Sequence, residues 1–340
     1  MEKGMALRGV SYVLPERVET NEDLVKDFKT WTVEKIYKKT GIRQRPIADP
    51  NEPVSASMIR AGRKFFAQHP DVALESIDML LLCSEARDYV LPSTACVVHH
   101  ALGLRTTSGA LGFDLGCSGY VYGLALCKGF IAAGIARRVL LLTGDKLTWY
   151  INEMDRSVRT IFGDGFTASL LEACDHDEVT GFDLGTDGSG ARDIIIEAGE
   201  TAMPYSSATA LPIVNRFGNV HTLENLFMDG RKVLDFAVKQ APQSMARTLA
   251  ATGLSMDDVD LVVPHQASMV VLEQLRGKLG LDEEKFVIDL EETGNTASSS
   301  IPLVLARLAE RGKLKEGMKI LITGFGVGLS WGSALIRWHR

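Results

Sequence analysis

Ala110-Leu111-Gly112-Phe113-Asp114-Leu115-Gly116-Cys117-Ser118-Gly119 reads as a junction between two kinds of structure. An apolar run of strand type ends at Gly116, and a long apolar segment with helical spacing begins at Ser118. Cys117 stands between them. That places a thiol at the N-terminus of a helix, beside amides that lack an intrahelical partner. The positive end of the helix dipole favours the thiolate there, the nucleophilic form of the side chain. Gly116 and Gly119 permit a sharp turn and close approach of the backbone. A nucleophile elbow with sulfur in place of a serine oxygen has this pattern. A small cysteine packed inertly under a helix has it too, so the rest of the chain must separate the two.

The chain has 340 residues, 46% hydrophobic and 24% charged, enough for two core-forming units. Its net charge of −6 is spread without a block of like charges, which disfavours nucleic acid as a partner. No stretch approaches the ~20 apolar residues of a membrane span. Met1-Glu2-Lys3-Gly4 lacks the apolar core of a signal peptide. The five cysteines, at 83, 96, 117, 127 and 174, are scattered and form no CxxC pair, as suits a reducing cytosol better than a disulfide framework or zinc knuckle. A cytoplasmic location without membrane insertion is therefore expected. Asp175-His176-Asp177-Glu178 is spaced as a polar turn rather than a metal site, and no metal is expected.

Two series of elements run in parallel along the chain. The buried strand Asp78–Cys83 answers Asp260–Val263, and the helix ending Ala101-Leu102-Gly103 answers the one ending Lys278-Leu279-Gly280. Gly116-Cys117 answers Gly294-Asn295, and Val139–Thr143 answers Ile320–Thr323, at separations of 22 and 25 residues. A divergent strand–helix–strand repeat implies an α/β chain of two similar halves, 1–174 and 175–340. Outside the repeat, Asn21–Lys39 reads as one amphipathic helical stretch, and the glycines of 185–190 as a loop. The arginines of Thr40-Gly41-Ile42-Arg43-Gln44-Arg45 suit either a phosphate or a solvated turn. Packed about a pseudo-two-fold, the halves would bring equivalent helix starts together. Cys117 and Asn295 would then share a pocket, with His265 at the end of a neighbouring strand.

A thiolate, an imidazole and a carboxamide suit acyl transfer through a thioester. Cys117 would attack an acyl thioester. The amide of Cys117 and one from the turn Gly326–Gly328 are candidate oxyanion donors. His265 and Asn295, both donors, would stabilise the enolate formed when a malonyl thioester loses CO2, and no redox cofactor is required. The glycines at 324, 326 and 328 follow a strand but lead into another strand, so they do not form a dinucleotide fingerprint. His99-His100 lie within a helix and read as structural.

Five motifs in order resemble the β-ketoacyl-acyl carrier protein synthase III family of the thiolase superfamily. They are Gly116-Cys117-Ser118-Gly119, Phe162-Gly163-Asp164-Gly165, Pro264-His265-Gln266-Ala267, Gly294-Asn295-Thr296, and Gly324-Phe325-Gly326 with Trp331-Gly332-Ser333. The resemblance covers nearly the whole chain and implies a thiolase-like, five-layered αβαβα fold, a homodimer, and a Cys117-His265-Asn295 site. It implies that Phe325, Gly326 and Val327 shield substrate and supply the oxyanion contact. Acyl-CoA or an acyl carrier protein would be the partner. The family's adenine-stacking aromatic falls at Lys35 here, and its arginine partner at Arg156. Basic residues that meet the carrier protein are replaced by Val270 and Asp235, leaving Arg231, Arg276 and Lys278 to form a different patch. Leu91 falls where the family places a residue of the dimer partner that bounds the acyl pocket. Its small size implies room for more than an acetyl group. The implied activity is decarboxylative condensation giving a 3-ketoacyl product. Transfer of the Cys-bound acyl group to another nucleophile in a specialised pathway is the alternative, and a non-catalytic acyl-binding subunit a third reading.

Overall fold

In the computed structural model, which describes residues 4–339, the elements follow the order of the repeat. The first half holds β1 (Gly4–Val13), β2 (Val18–Thr20), α1 (Asn21–Asp27), α2 (Val33–Thr40), β3 (Gln44–Pro46), α3 (Val54–Gln68), β4 (Met79–Cys83) and α4 (Thr94–Leu102). It continues with β5 (Gly109–Phe113), α5 (Gly119–Ala132), β6 (Arg138–Asp145), α6 (Arg156–Arg159) and β7 (Gly165–Cys174). The second half opens with β8 (Val179–Thr186). Short strands follow: β9 (Ile194–Ile195), β10 (Ile213–Val214), β11 (Val220–His221) and β12 (Phe227–Met228). It ends with α7 (Gly230–Thr252), β13 (Leu261–Pro264), α8 (Met269–Leu279), α9 (Ser300–Glu310), β14 (Lys319–Gly326) and β15 (Ser330–Arg337).

The two main sheets share one pattern. The first has the order β1-β7-β6-β4-β5, antiparallel at β1/β7 and β7/β6 and parallel at β6/β4 and β4/β5. The second has the order β8-β15-β14-β13, antiparallel twice and then parallel. The counterpart of β5 is reduced to a single parallel bridge between Val262 and Phe286, flanked by two backbone hydrogen bonds, from the Val262 amide to the Lys285 carbonyl and from the Val287 amide to the Val262 carbonyl. Helices α3 and α4 cover the outer face of the first sheet, α7 and α8 the outer face of the second, and α5 and α9 lie between the sheets. This makes five layers. Both faces of each sheet are covered, so the central strands β4, β6 and β14 are apolar runs without alternation. A single core joins the halves, with Leu7, Leu81 and Leu141 of one sheet and Val263, Ile320 and Ile336 of the other closing on Tyr120, Leu124, Ile301 and Leu305.

Several local expectations change. The strand before Cys117 stops at Phe113, and residues 114–118 form a turn. The stretch 21–39 is two helices, because Thr20 and Thr32 each cap an N-terminus, accepting from the Asp23 and Lys35 amides. The glycine-marked stretch 185–190 is not all loop, because the edge strand β8 runs through Gly185 and Thr186. Gly185 in it is there for contact, since a Cβ would lie 2.1 Å from the Trp331 ring. Asp175–Glu178 is the connection between β7 and β8, with Asp177 paired to Lys128 and Glu178 to Arg8. Arg45 is fully buried and donates to Asn21 Oδ1 at 2.8 Å and to the Glu19 and Thr160 carbonyls, while Arg43 pairs with Glu291. These arginines fasten the α1–α2 excursion to the body of the molecule.

Candidate active site

The end of β14 organises the site. Gly324 and Gly326 lie against the Cys117 turn. A Cβ at Gly324 would stand 2.7 Å from the Cys117 carbonyl, and one at Gly326 would stand 2.7 Å from Cys117 Sγ. The glycines therefore let a strand end close over a nucleophile turn, and any side chain there would collide with it. Gly116 and Gly119 work in the same way. Neither has positive φ, and both are needed for space: a Cβ at Gly119 would lie 2.4 Å from Cys83 Sγ.

Cys117 is 8% exposed and precedes Ser118, the N-cap of α5. Its own amide and that of Val327 both point at the sulfur and favour a negative charge there. Burial opposes them most strongly, followed by the charges of Glu85 and Asp145. The net effect raises the thiol above its ordinary range. The expected thiolate stabilised by the helix dipole is thus opposed, first by burial and then by the two acids nearby. The same two amides form a donor pair that could receive an oxyanion growing on a carbonyl bound at the sulfur.

His265 follows β13 and is fully enclosed. Its amide donates to the Thr323 carbonyl at 2.8 Å, which ties it to β14. Burial drives its pKa down to about 3, so the ring is neutral. Nδ1 meets Ser300 Oγ at 2.6 Å. With the hydroxyl donating to Nδ1, the proton of the neutral ring sits on Nε2 and is available to a ligand. Phe325, 2% exposed, meets the imidazole edge-on with ring centroids 5.5 Å apart.

Asn295 is held by its backbone. Its amide donates to the Ile161 carbonyl at 2.9 Å, and its carbonyl accepts from Gly163 at 3.0 Å. This explains the Phe162–Gly165 motif: it docks the Asn295 loop. Asp164 within it is buried and accepts from the amides of Ala48 and Thr148 and from the Thr148 hydroxyl. Asn295 Oδ1 accepts from the Ala297 amide at 2.9 Å, which fixes the carboxamide and leaves Nδ2 to donate. The thiol and the imidazole are therefore carried by elements that meet at the end of β14, and the Asn295 carboxamide by the loop docked on Phe162.

A cavity of about 580 Å³ is lined in part by Trp31, Lys35, Lys39, Arg156, Phe217 and Ser268, and also by Ile161, whose carbonyl holds the Asn295 amide. Lys35, Lys39 and Arg156 surround the Trp31 ring, with cationic centres 5.2, 5.4 and 5.8 Å from its centroid. Arg156 is oriented by Asn219 Oδ1 at 2.9 Å and Thr30 Oγ1 at 3.0 Å. Trp31, which stands just before the N-cap of α2, thus brings an aromatic ring beside Lys35. The 31, 35, 39 spacing was the available signal. Arg231, exposed at the start of α7, is not among the residues lining this cavity. Arg276 is engaged with Glu273 and Glu283, and Lys278 with the Val238 carbonyl. Leu91, 84% exposed, lies at an apolar loop tip with Tyr89 and Val90.

The 3-oxoacyl-[acyl-carrier-protein] synthase III family model matches residues 113–188, and its C-terminal counterpart matches residues 249–338. A beta-ketoacyl-[acyl-carrier-protein] synthase III of Roseiflexus castenholzii is 37% identical over 336 residues, covering 98% of both chains. The chain belongs to the 3-oxoacyl-[acyl-carrier-protein] synthase III family. A synthase III of Caldanaerobacter subterraneus is 34% identical over 98% of this chain and 97% of its own. A crystal structure of a 3-oxoacyl-(acyl-carrier-protein) synthase III, 42% identical, matches with a TM-score of 0.97 over 98% of this chain and all of its own. The fold is accordingly the thiolase-like fold of the synthase III enzymes, and the protein is a condensing enzyme of the acyltransferase type. Cys117 falls in the first matched segment of the chain, and His265, Asn295 and Phe325 fall in the second.

Proposed function

We propose that this synthase III loads an acyl group from acyl-CoA onto Cys117 and condenses it with a malonyl thioester, releasing CO2 and a 3-ketoacyl thioester. The observation that supports the assignment is the Cys117 turn closed under Gly324 and Gly326, with the Cys117 and Val327 amides aimed at the sulfur and the neutral His265 ring against Phe325 of the same strand end; Asn295, its Nδ2 left to donate, would complete the set. Loading forms a Cys117 thioester and releases the donor thiol. In the second half-reaction, His265 Nε2 and Asn295 Nδ2 donate to the malonyl thioester oxygen as its carboxylate leaves as CO2. The resulting enolate attacks the acyl carbon, and Cys117 departs as a thiolate that takes one proton from solvent to return to the thiol. Phe325 shields this centre from water. No metal or redox cofactor takes part in these steps.

Trp31 with its three cations suits the adenine ring and phosphates of CoA, by stacking and by charge. A reducing cytoplasm suits the five free cysteines. A homodimer is favoured by β5, which pairs with β4 on one side only and leaves its other edge unpaired among the described residues. It is also favoured by the exposed Tyr89-Val90-Leu91 tip, which could close a partner's acyl pocket. The malonyl group would arrive on an acyl carrier protein.

Intact-protein mass spectrometry tests this reading with a panel of acyl-CoAs of rising length. A mass gain that is absent in Cys117→Ala and is cleared by malonyl carrier protein with CO2 release is the expected result. Clearance without CO2 would point to acyl transfer onto another nucleophile, and no adduct from any donor would remove the reading altogether.

A further inference from the structure

Glu85 stands beside Gly116 of the nucleophile turn, with no part in the reaction described so far. It lies two residues beyond β4, where its amide donates to Asp145 Oδ1 at 2.7 Å. Its carboxylate turns toward the Cys117 turn. Oε2 lies 2.6 Å from the point where a Cβ on Gly116 would stand, and Val327 Cγ1 lies 2.9 Å from the same point. A side chain at 116 would displace it. Of the charges that act on the Cys117 thiol, Glu85 is the foremost.

The two neighbouring acids have opposite surroundings. Asp145 accepts from the Glu85 and Ser298 amides and from the Ser84 and Ser298 hydroxyls, the last at 2.5 Å. Burial raises its pKa above the usual carboxylate value, and the four donors act against that rise. No group among the described residues donates to the Glu85 carboxyl. It faces Asp145 at the end of β6, Asp114 beyond β5, Cys83 at the end of β4, and Cys117 before α5. Burial, Asp145 and Asp114 push its pKa up to about 8. Such a group changes state near neutrality, where a general base is most effective. His265 is poorly suited to be that base, because its ring is held neutral down to about pH 3 and its Nδ1 is already taken by Ser300.

We propose that Glu85 is the general base for loading of Cys117. This rests on Cys117 being the nucleophile. As sulfur attacks the donor thioester, the S–H bond breaks and the proton passes to the Glu85 carboxylate. A new C–S bond forms to Cys117, and the donor's C–S bond breaks. Glu85 returns the proton to the departing thiolate, which leaves as the free thiol. The carboxylate is regenerated, and no further reactant is consumed. Gly116 is the residue that lets the carboxyl reach this position.

Two measurements on the full-length enzyme test the proposal. The first is the rate of loading from acyl-CoA in a single turnover, followed by mass spectrometry between pH 6 and 10. The second is alkylation of Cys117 by iodoacetamide over the same range, which needs a thiolate but no bound substrate. In the wild type, both rates rise with pH and level off near pH 8. In Glu85→Gln the break disappears, and loading at pH 7 falls by about 10²–10⁴-fold. Glu85→Asp keeps the break at a reduced rate. Condensation with malonyl carrier protein, measured on enzyme already acylated, changes little in either variant.

A wild-type profile with no break between pH 7 and 9 overturns the proposal without any variant. Equal falls in loading and condensation in Glu85→Gln also overturn it, because they assign the residue to the fold. Failure of the nucleophile assignment looks different: wild-type adducts would then map to a residue other than Cys117.

Discussion

Asn295 has one end of its carboxamide committed to the Ala297 amide at 2.9 Å, so only the NH2 end can meet a ligand. Asn295→Ala should therefore leave loading of Cys117 intact and slow malonyl decarboxylation by about 10²–10³-fold, the usual cost of one oxyanion donor. Separate assays of the two half-reactions check this, and equal losses in both would contradict the role. Ser300 acts one step removed, through His265 Nδ1 at 2.6 Å. Ser300→Ala frees the ring to adopt the other tautomer, which turns the Nε2 donor into an acceptor. Decarboxylation should fall by about tenfold, the scale of one lost hydrogen bond. Ser300→Thr, which keeps the hydroxyl, should restore it. Rescue by threonine separates positioning from packing. At this scale Cys117, His265 and Asn295 were legible because each sits at a strand or helix end marked by its own short motif. Glu85 was not, and Trp31 left only its 31, 35, 39 spacing with two lysines as a signal. The environment of Glu85 comes from Asp114 and Asp145, 29 and 60 residues away in sequence. Trp31 acquires its setting only when Arg156 closes over it.

Among the elements, β5 carries the clearest consequence. Its pattern of exposure is that of an edge strand, with Leu111 40% exposed at its centre. A second copy pairing there would extend the five-stranded sheet across a two-fold axis. Leu111→Lys brings like charges together across that axis. Light scattering should give twice 37.1 kDa for the wild type and a shift toward 37.1 kDa for the variant. A monomeric wild type would refute the dimer outright. The β4–α4 loop follows from the same axis: if Leu91 closes the partner's pocket, Leu91→Phe should move the loading preference toward shorter acyl groups. An unchanged chain-length profile would exclude that contact. The central strands were legible because burial on both faces leaves continuous apolar runs. Strand β8 was missed because its glycines resemble loop punctuation. Gly181 takes φ +66° and would clash with α7, while Gly185 lies under Trp331, so each marks close packing that periodicity cannot report.

At the scale of the whole molecule, one core shared by two sheets encloses titratable groups that pull stability in opposite directions. The neutral His265, with its pKa lowered from 6.5 to about 3, contributes stability that is complete above pH 6.5 and is lost as pH falls toward 3. Asp164 and Glu85 act with the other sign. Their folded pKa values are raised to about 6 and about 8, so their contribution is present at low pH and is lost as pH rises. The Asp164 loss runs from 3.8 to about 6, and the Glu85 loss from 4.5 to about 8. Between pH 6.5 and 8, of these three, only Glu85 changes its proton occupancy differently in the folded and unfolded chains. The wild type should therefore lose stability across that window, with a ceiling of roughly 1.4 kcal/mol per pH unit and less where solvent reaches the carboxyl. Glu85→Gln carries no such proton and should melt at a nearly constant temperature from pH 6.5 to 8, above the wild type at the upper end. Thermal melts of the two proteins across the window measure this directly. Parallel curves would mean that Glu85 is ionised throughout, and the charge beside Cys117 would then be permanent rather than poised. A gain in stability accompanied by slower loading would show instead that the chain holds a destabilising acid because its chemistry needs one there.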